Sequence, residues 1–111
     1  MLRVACVVEG TGMISEEKSV VVFQAAGPHE AKRRIIDISR KREERYVNVD
    51  GQRVRWTVRE IMTLDWLEEG PDLGDEREVY SKIEDLPEPD HTVAFDADYP
   101  LDAAEPRQTG V

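Results

Sequence analysis

The residues of this chain with chemistry to offer crowd into one stretch, "EERYVNVDGQRVRWTVREI", Glu43 to Ile61, where carboxylates, guanidinium groups, amides and aromatics surround an Asp-Gly pair. Arg53, Arg55 and Arg59 fall on one side of an alternating run. Such a row could hold phosphates, with Tyr46 and Trp56 as surfaces on which bases stack. The alternation argues against it, because Val54, Trp56 and Val58 occupy the opposite side and Trp56 cannot share a plane with the arginines. The arginines are expected to pair with carboxylates of a neighbouring strand, Glu78 among them, or to face water. Asn48, Asp50 and Gly51 read as a turn: Gly51 is free to take positive φ, and the short polar side chains can cap local amides.

No other stretch assembles a reactive constellation. Between Pro28 and Arg45 seven basic residues, including "KRR" and "RKR", share the segment with four acids at pairing distances, the pattern of a solvated helix face. "DADYPLDAAE" tempts a calcium reading, but counting from Asp96 puts Pro100, Leu101 and Arg107 where ligands and the obligatory glycine belong. His29 and His91 have no His or Cys at ligand spacing, so no metal is expected. There is no nucleophile elbow, no Cys-His pairing and no glycine-rich phosphate loop, so neither a cofactor nor an enzyme is expected. Cys6, the single cysteine, sits among Val4, Val7 and Val8 and reads as a small buried hydrophobe.

A chain of 111 residues can bury one core. Its net charge of −9 conceals a split: residues 1–61 hold 12 Lys and Arg against 9 Asp and Glu, a net +3, while residues 62–111 hold 3 against 15, a net −12. The acidic total opposes binding of nucleic acid by the chain as a whole and suits a cationic protein partner, with residues 65–105 as the attracting half. The N-terminal apolar run is too short for a signal segment, and nothing approaches the ~20 apolar residues of a membrane span, so a cytoplasmic location without membrane contact is expected.

The elements follow from periodicity. Leu2 to Glu9 and Lys18 to Ala26 are β-branched runs that form an antiparallel hairpin, with "GTGMISEE" as its loop. Pro28 fits a first helical position, and Ala31, Ile35, Ile38 and Arg42, with Tyr46 just beyond, share one helical stripe, so the helix is expected to run to about Tyr46. Arg53 to Trp66 reads as a long half-buried strand with a bulge near Glu60 and Ile61. "LEEGPDLGDER" is an acidic loop, and Glu78 to Ile83 the last strand. The expected fold is α+β, β-β-α-β-β: a four-stranded antiparallel sheet with one helix on one face over residues 1–85, followed by an acidic, proline-containing tail over 86–111, extended or packed across the domain or a partner.

Tyr46, Asn48, Asp50, Gly51, Val54 and Trp56, with "EVYS" at Glu78 to Ser81 and "EEKSVVVFQA" before the helix, resemble the bacterial family known as domain of unknown function 4288. The resemblance covers Leu2 to about Asp85 and implies that family's fold and a bacterial cytosolic setting. It implies no activity.

The first two strands are apolar on both sides, and one helix roofs only one. Val7, Val21 and Phe23 are expected to need a second cover, whether self-association, a partner, or the tail folding back; the first two rank ahead because the tail is poor in apolar residues. Ile36 and Trp66 are secondary contacts. The function expected is a non-enzymatic protein-interaction module, in its narrower form an immunity or antitoxin protein. The alternative is nucleic-acid binding along Arg53, Arg55 and Arg59.

Overall fold

Glu9–Thr11 turns the chain so tightly that two strands lie side by side within the first 22 residues: β1, Leu2–Val8, and β2, Gly12–Val22. The computed structural model describes residues 1–67 and 74–109, the side chains of 107–109 excepted. Much of the expected hairpin loop is therefore strand. Gly12 makes the start of β2 possible, since its φ is +106° and a Cβ there would lie 2.3 Å from the carbonyl oxygen of Asp90.

Helix α1, Pro28–Lys41, begins with proline in its first turn and Glu30 near its positive end, and finishes on Arg40 and Lys41. Ala31, Ile35 and Ile38 are its buried stripe, and the buried Ser39 hydroxyl donates back to the Ile35 carbonyl at 2.7 Å. The helix stops at its cap, Arg42, short of the expected Tyr46. Glu44–Val47 is instead β3, an edge strand in a hairpin with β4, Arg53–Ile61. A strand here satisfies the backbone of Glu44 to Val47 against β4 and brings the Tyr46 hydroxyl to Trp56 Nε1 at 3.0 Å. In the turn between them Asn48 Oδ1 accepts the amides of Asp50 and Gln52, and Gly51 takes φ +77°, as the residue types require.

The long strand expected from Arg53 to Trp66 is two: β4, and β5 at Asp65–Leu67. The bulge lies at Arg59, since Arg3 pairs with Glu60 and Val4 with Val58. The last expected strand is longer than "EVYSKI": β6 is Arg77–Asp90 and takes in Pro87 and Pro89. Prolines are tolerated there because β6 is an edge, where a missing N–H costs little. The sheet therefore has five antiparallel strands, in the order β3-β4-β1-β2-β6, and Arg107–Thr109 forms β7, parallel to β5 in a separate pair. The expected acidic loop lies partly outside the described residues.

Both faces of the sheet are covered. On one, α1 packs Ala31 and Ile35 against Leu2, Val4, Val58 and Ile61. On the other, Ala5, Val7 and Met13 lie beneath Val93, Phe95 and Tyr99 of the C-terminal segment. Of the three possible covers for the second face, the tail is the one found. Nor do Val7, Val21 and Phe23 share a face: Val7 packs under the tail, while Val21 and Phe23 join the helix-side core. The physical reason is a bulge in the first hairpin, where Cys6 pairs with Ser15 but Val7 with Met13, so that β2 changes phase at Ile14.

Candidate functional site

The arginine row is where the tail is fastened. Arg55 is only 2% exposed. Its guanidinium donates to the carbonyls of Phe95 and Ala97 at 3.3 and 3.0 Å and to the carboxylates of Glu43 and Asp98 at 2.9 and 3.1 Å. Burial works against its charge, but the bonds to Glu43 and Asp98 outweigh that cost and hold its pKa above the usual arginine value. Arg45 and Arg53 lie over the Phe95 ring at 5.8 and 5.2 Å, and Arg59 over Tyr99 at 5.2 Å. Glu78 does not face these arginines, because it stands on the far edge strand; Arg53 pairs with Glu9 at 3.1 Å. The face is a lined bed for the chain's own tail.

The residues expected to be contact surface are spread out. Val7 is fully buried. Val21, Phe23, Ile36 and Trp66 are half-buried and pack on the helix-side core. Val21, Phe23 and Trp66 also line an apolar cavity of about 610 Å³ between the end of β2, the first half of α1 and β5, with Leu2, Ala31 and Ile35.

The arrangement with the most chemistry lies elsewhere, where the helix runs out. Fourteen residues of helix span about 21 Å. Past Lys41 the helix gives no cover, and that side of the sheet is a smaller core of buried Cys6, Val8 and Val54 with Ile14 and Trp56 packed against it. Arg42, the helix cap, reaches onto it: its Nη2 bonds the Glu78 Oε2 oxygen and lies 3.7 Å from Glu17 Oε1. Ser19 Oγ donates to the same Glu78 oxygen at 2.7 Å. Beside them Val4, Glu17, Arg42, Glu44, Trp56 and Ile83 enclose a recess of about 170 Å³, below the size of ordinary small-molecule pockets and near that of a single side chain. Trp56 forms its wall and is itself held by Tyr46.

Two carboxylates thus meet one guanidinium, and a third, Glu44, lines the recess beside them. Burial is the first cause that raises the Glu17 pKa; the negative charge of Glu78 adds to it, Arg42 opposes it, and Glu44 raises it further. Glu78 moves the other way. Burial alone would raise it, but its bonds to Ser19 and Arg42 outweigh burial and hold its carboxyl below the usual range. The recess therefore carries surplus negative charge with Glu17 as its least comfortable member.

Sequence reasoning named Tyr46 and Trp56 as surfaces for stacking bases, Glu78 as a partner of the arginine row, and all of them with the "EEKS" segment as marks of resemblance. It missed that they meet, and it did not single out Arg42 as more than a member of the helical stripe. Their spacings of 10 to about 60 residues give no local signal; only the strand order puts β3, β4, β1, β2 and β6 side by side in that succession.

The fold and this clustering define a small α+β domain built on an antiparallel sheet. The family model described as "Domain of unknown function (DUF4288)" matches residues 12–81, well over half the chain, and the protein belongs to that family. The match takes in Glu17, Ser19, Arg42, Tyr46, Trp56 and Glu78, and stops short of the tail. No curated protein and no solved structure matches the chain.

Proposed function

We propose that the protein is a non-enzymatic, cytoplasmic protein-interaction module that grips a lysine or arginine side chain of a basic partner in the recess beyond the end of α1. One observation carries this reading: the carboxylates of Glu17 and Glu44 line, together with the Trp56 indole, a recess of side-chain size. A cation entering there gains a charge-assisted bond to Glu17 or Glu44 and a cation–π contact with Trp56, worth about 0.5–2 kcal/mol for the latter depending on desolvation. Val4 and Ile83 suit the methylene stem of such a side chain. Glu78 is already committed to Ser19 and Arg42, which favours a fixed anchor over a proton-transfer pair. The acidic second half of the chain would steer a basic partner toward it, as an immunity or antitoxin protein requires.

The test is an NMR titration of labelled protein with arginine amide, lysine amide and the uncharged norleucine amide. The expected result is saturable movement of the Trp56 indole and of the Glu17 and Glu44 amides with the two cations, lost in E17Q/E44Q. Binding should tighten as pH rises through the Glu17 titration, because a bound cation and the Glu17 proton oppose each other. Movement spread evenly over the acidic surface, or equal movement with norleucine amide, would overturn the reading.

A further inference from the structure

From the open edge of β6 we infer a second interaction surface, and its partner is another copy of this chain. β6 closes the sheet on one side, and among the described residues no strand pairs with its outer edge. Val79, Tyr80 and Ile83 are 47, 57 and 55% exposed, a sizeable apolar surface on an edge strand whose bulge and prolines lie outside the stretch from Tyr80 to Leu86. Against β2 the strand runs in regular register from Tyr80, opposite Val20, to Asp85, opposite Ser15. A bulge at Val79 interrupts it on one side, and the register shifts again between Asp85 and Asp90 on the other. Pro87 has no N–H to give a neighbour. A strand added to this edge is therefore confined to about Tyr80 to Leu86.

That window is self-complementary about one centre. An antiparallel copy related by a two-fold axis at Ile83 sets Ile83 against Ile83, Lys82 against Glu84 twice, Ser81 against Asp85 twice and Tyr80 against Leu86 twice. Every opposed pair is either apolar or of compatible polarity, and the next pair outward, Val79 with Pro87, ends the ladder at both bulge and proline. Centring on Lys82 instead opposes two ammonium groups, and centring on Ser81 opposes Glu78 to Glu84. Within one copy Lys82 Nζ already lies 2.9 Å from Glu84 Oε1, so the pairing extends an existing ion pair into a four-charge network. The result is a ten-stranded sheet continuous across two chains, an isologous contact.

Ile83 belongs to both this surface and the recess, but successive residues of a strand face opposite ways, so the tested side chains, Lys82 and Glu84, lie on the side away from the recess. The experiment is solution mass by light scattering over a dilution series, where the monomer is 12.7 kDa. Wild type is expected to reach twice that mass. K82E and E84K each replace two attractive cross-strand pairs by repulsive ones and should weaken dimerisation about tenfold or more. The double variant K82E/E84K should restore it, and an equimolar mixture of the two single variants should form a mixed dimer. Both side chains are solvent-exposed, so circular dichroism should show folding unchanged. Wild type that stays monomeric throughout the series, or single variants that dimerise like wild type, would overturn the inference.

Discussion

Arg55 and Arg53 stand two positions apart on the same face of one strand, yet their replacement by methionine should cost very different amounts. Arg55 is buried and holds four acceptors, two of them backbone carbonyls of the tail. Removing it leaves Glu43, whose side chain is only 16% exposed, without its buried partner, and frees the Phe95 and Ala97 carbonyls. Breaking a buried charged cluster from one side costs about 3–5 kcal/mol. Asp98 is 84% exposed and rehydrates easily, so its share is small and the lower half of that range is expected. Arg53 pairs with Glu9 with both side chains at least half exposed and touches Phe95 by ring stacking alone, so R53M should cost about 1 kcal/mol or less. Urea unfolding measures the difference, and hydrogen exchange at residues 93–101 locates it. R55M is expected to lower the midpoint strongly and to strip protection from those amides while the β1–β2 amides persist. A loss below about 1 kcal/mol for R55M, or tail protection equal to that of R53M, would refute the clamp and with it the account of how the second face is covered.

Two further outcomes follow from the titrating groups. Because the folded-state pKa of Glu17 is raised, by burial first and Glu78 second, ionising it opposes folding: that penalty is absent below the ordinary carboxyl value and grows as pH rises through the folded pKa. E17Q should therefore gain stability relative to wild type on going from pH 4 to pH 7 in paired denaturation curves, whereas E78Q, which removes a carboxylate of lowered pKa, should lose it over the same interval. Burial, with Asp85 adding to it, pushes the Cys6 thiol up to about 11, so labelling by a thiol reagent at pH 8 should proceed only at the rate of opening of the sheet and accelerate with urea. Rapid stoichiometric labelling of the native protein would contradict its burial.

What could be read from the sequence was whatever depends on near neighbours. The apolar runs of β1 and β2, the Ala31–Ile35–Ile38 stripe and the Asn48–Gly51 turn each follow from residues within a few positions of one another, and the expected α+β class with one helix on an antiparallel sheet holds. Tyr46 shows where such reasoning gives out: it falls in helical phase with Ile38 and Arg42, but the contact that claims it, Trp56, lies across a hairpin. Val7 and Val21 were placed together by counting alternate residues, and one bulge at Ile14 was enough to put them on opposite faces. Pro87 and Pro89 looked like the onset of a tail because nothing local says that β6 lies at an edge.

Arg55 is the instructive case for function. Alternation along β4 assigns a charged residue to the water side, and that inference assumes water is there. The sheet has a covered second face only because Phe95 and Tyr99, some 40 residues later, bring aromatic rings and backbone carbonyls that a guanidinium can bind. A row of arginines that resembles a phosphate site is thus occupied by the chain's own tail, and the burial problem posed by two-sided apolar strands is solved by the same contact. That removes the sheet's second face as the reason to expect a partner, so the two proposals rest on two smaller places. One is the surplus charge in the recess past the end of α1, which a bound cation would reduce; the other is the outer edge of β6, unpaired among the described residues, which a second copy would close. The first should respond to pH through Glu17 and the second to reversing the charge of Lys82 or Glu84 alone, so each can fail without taking the other with it.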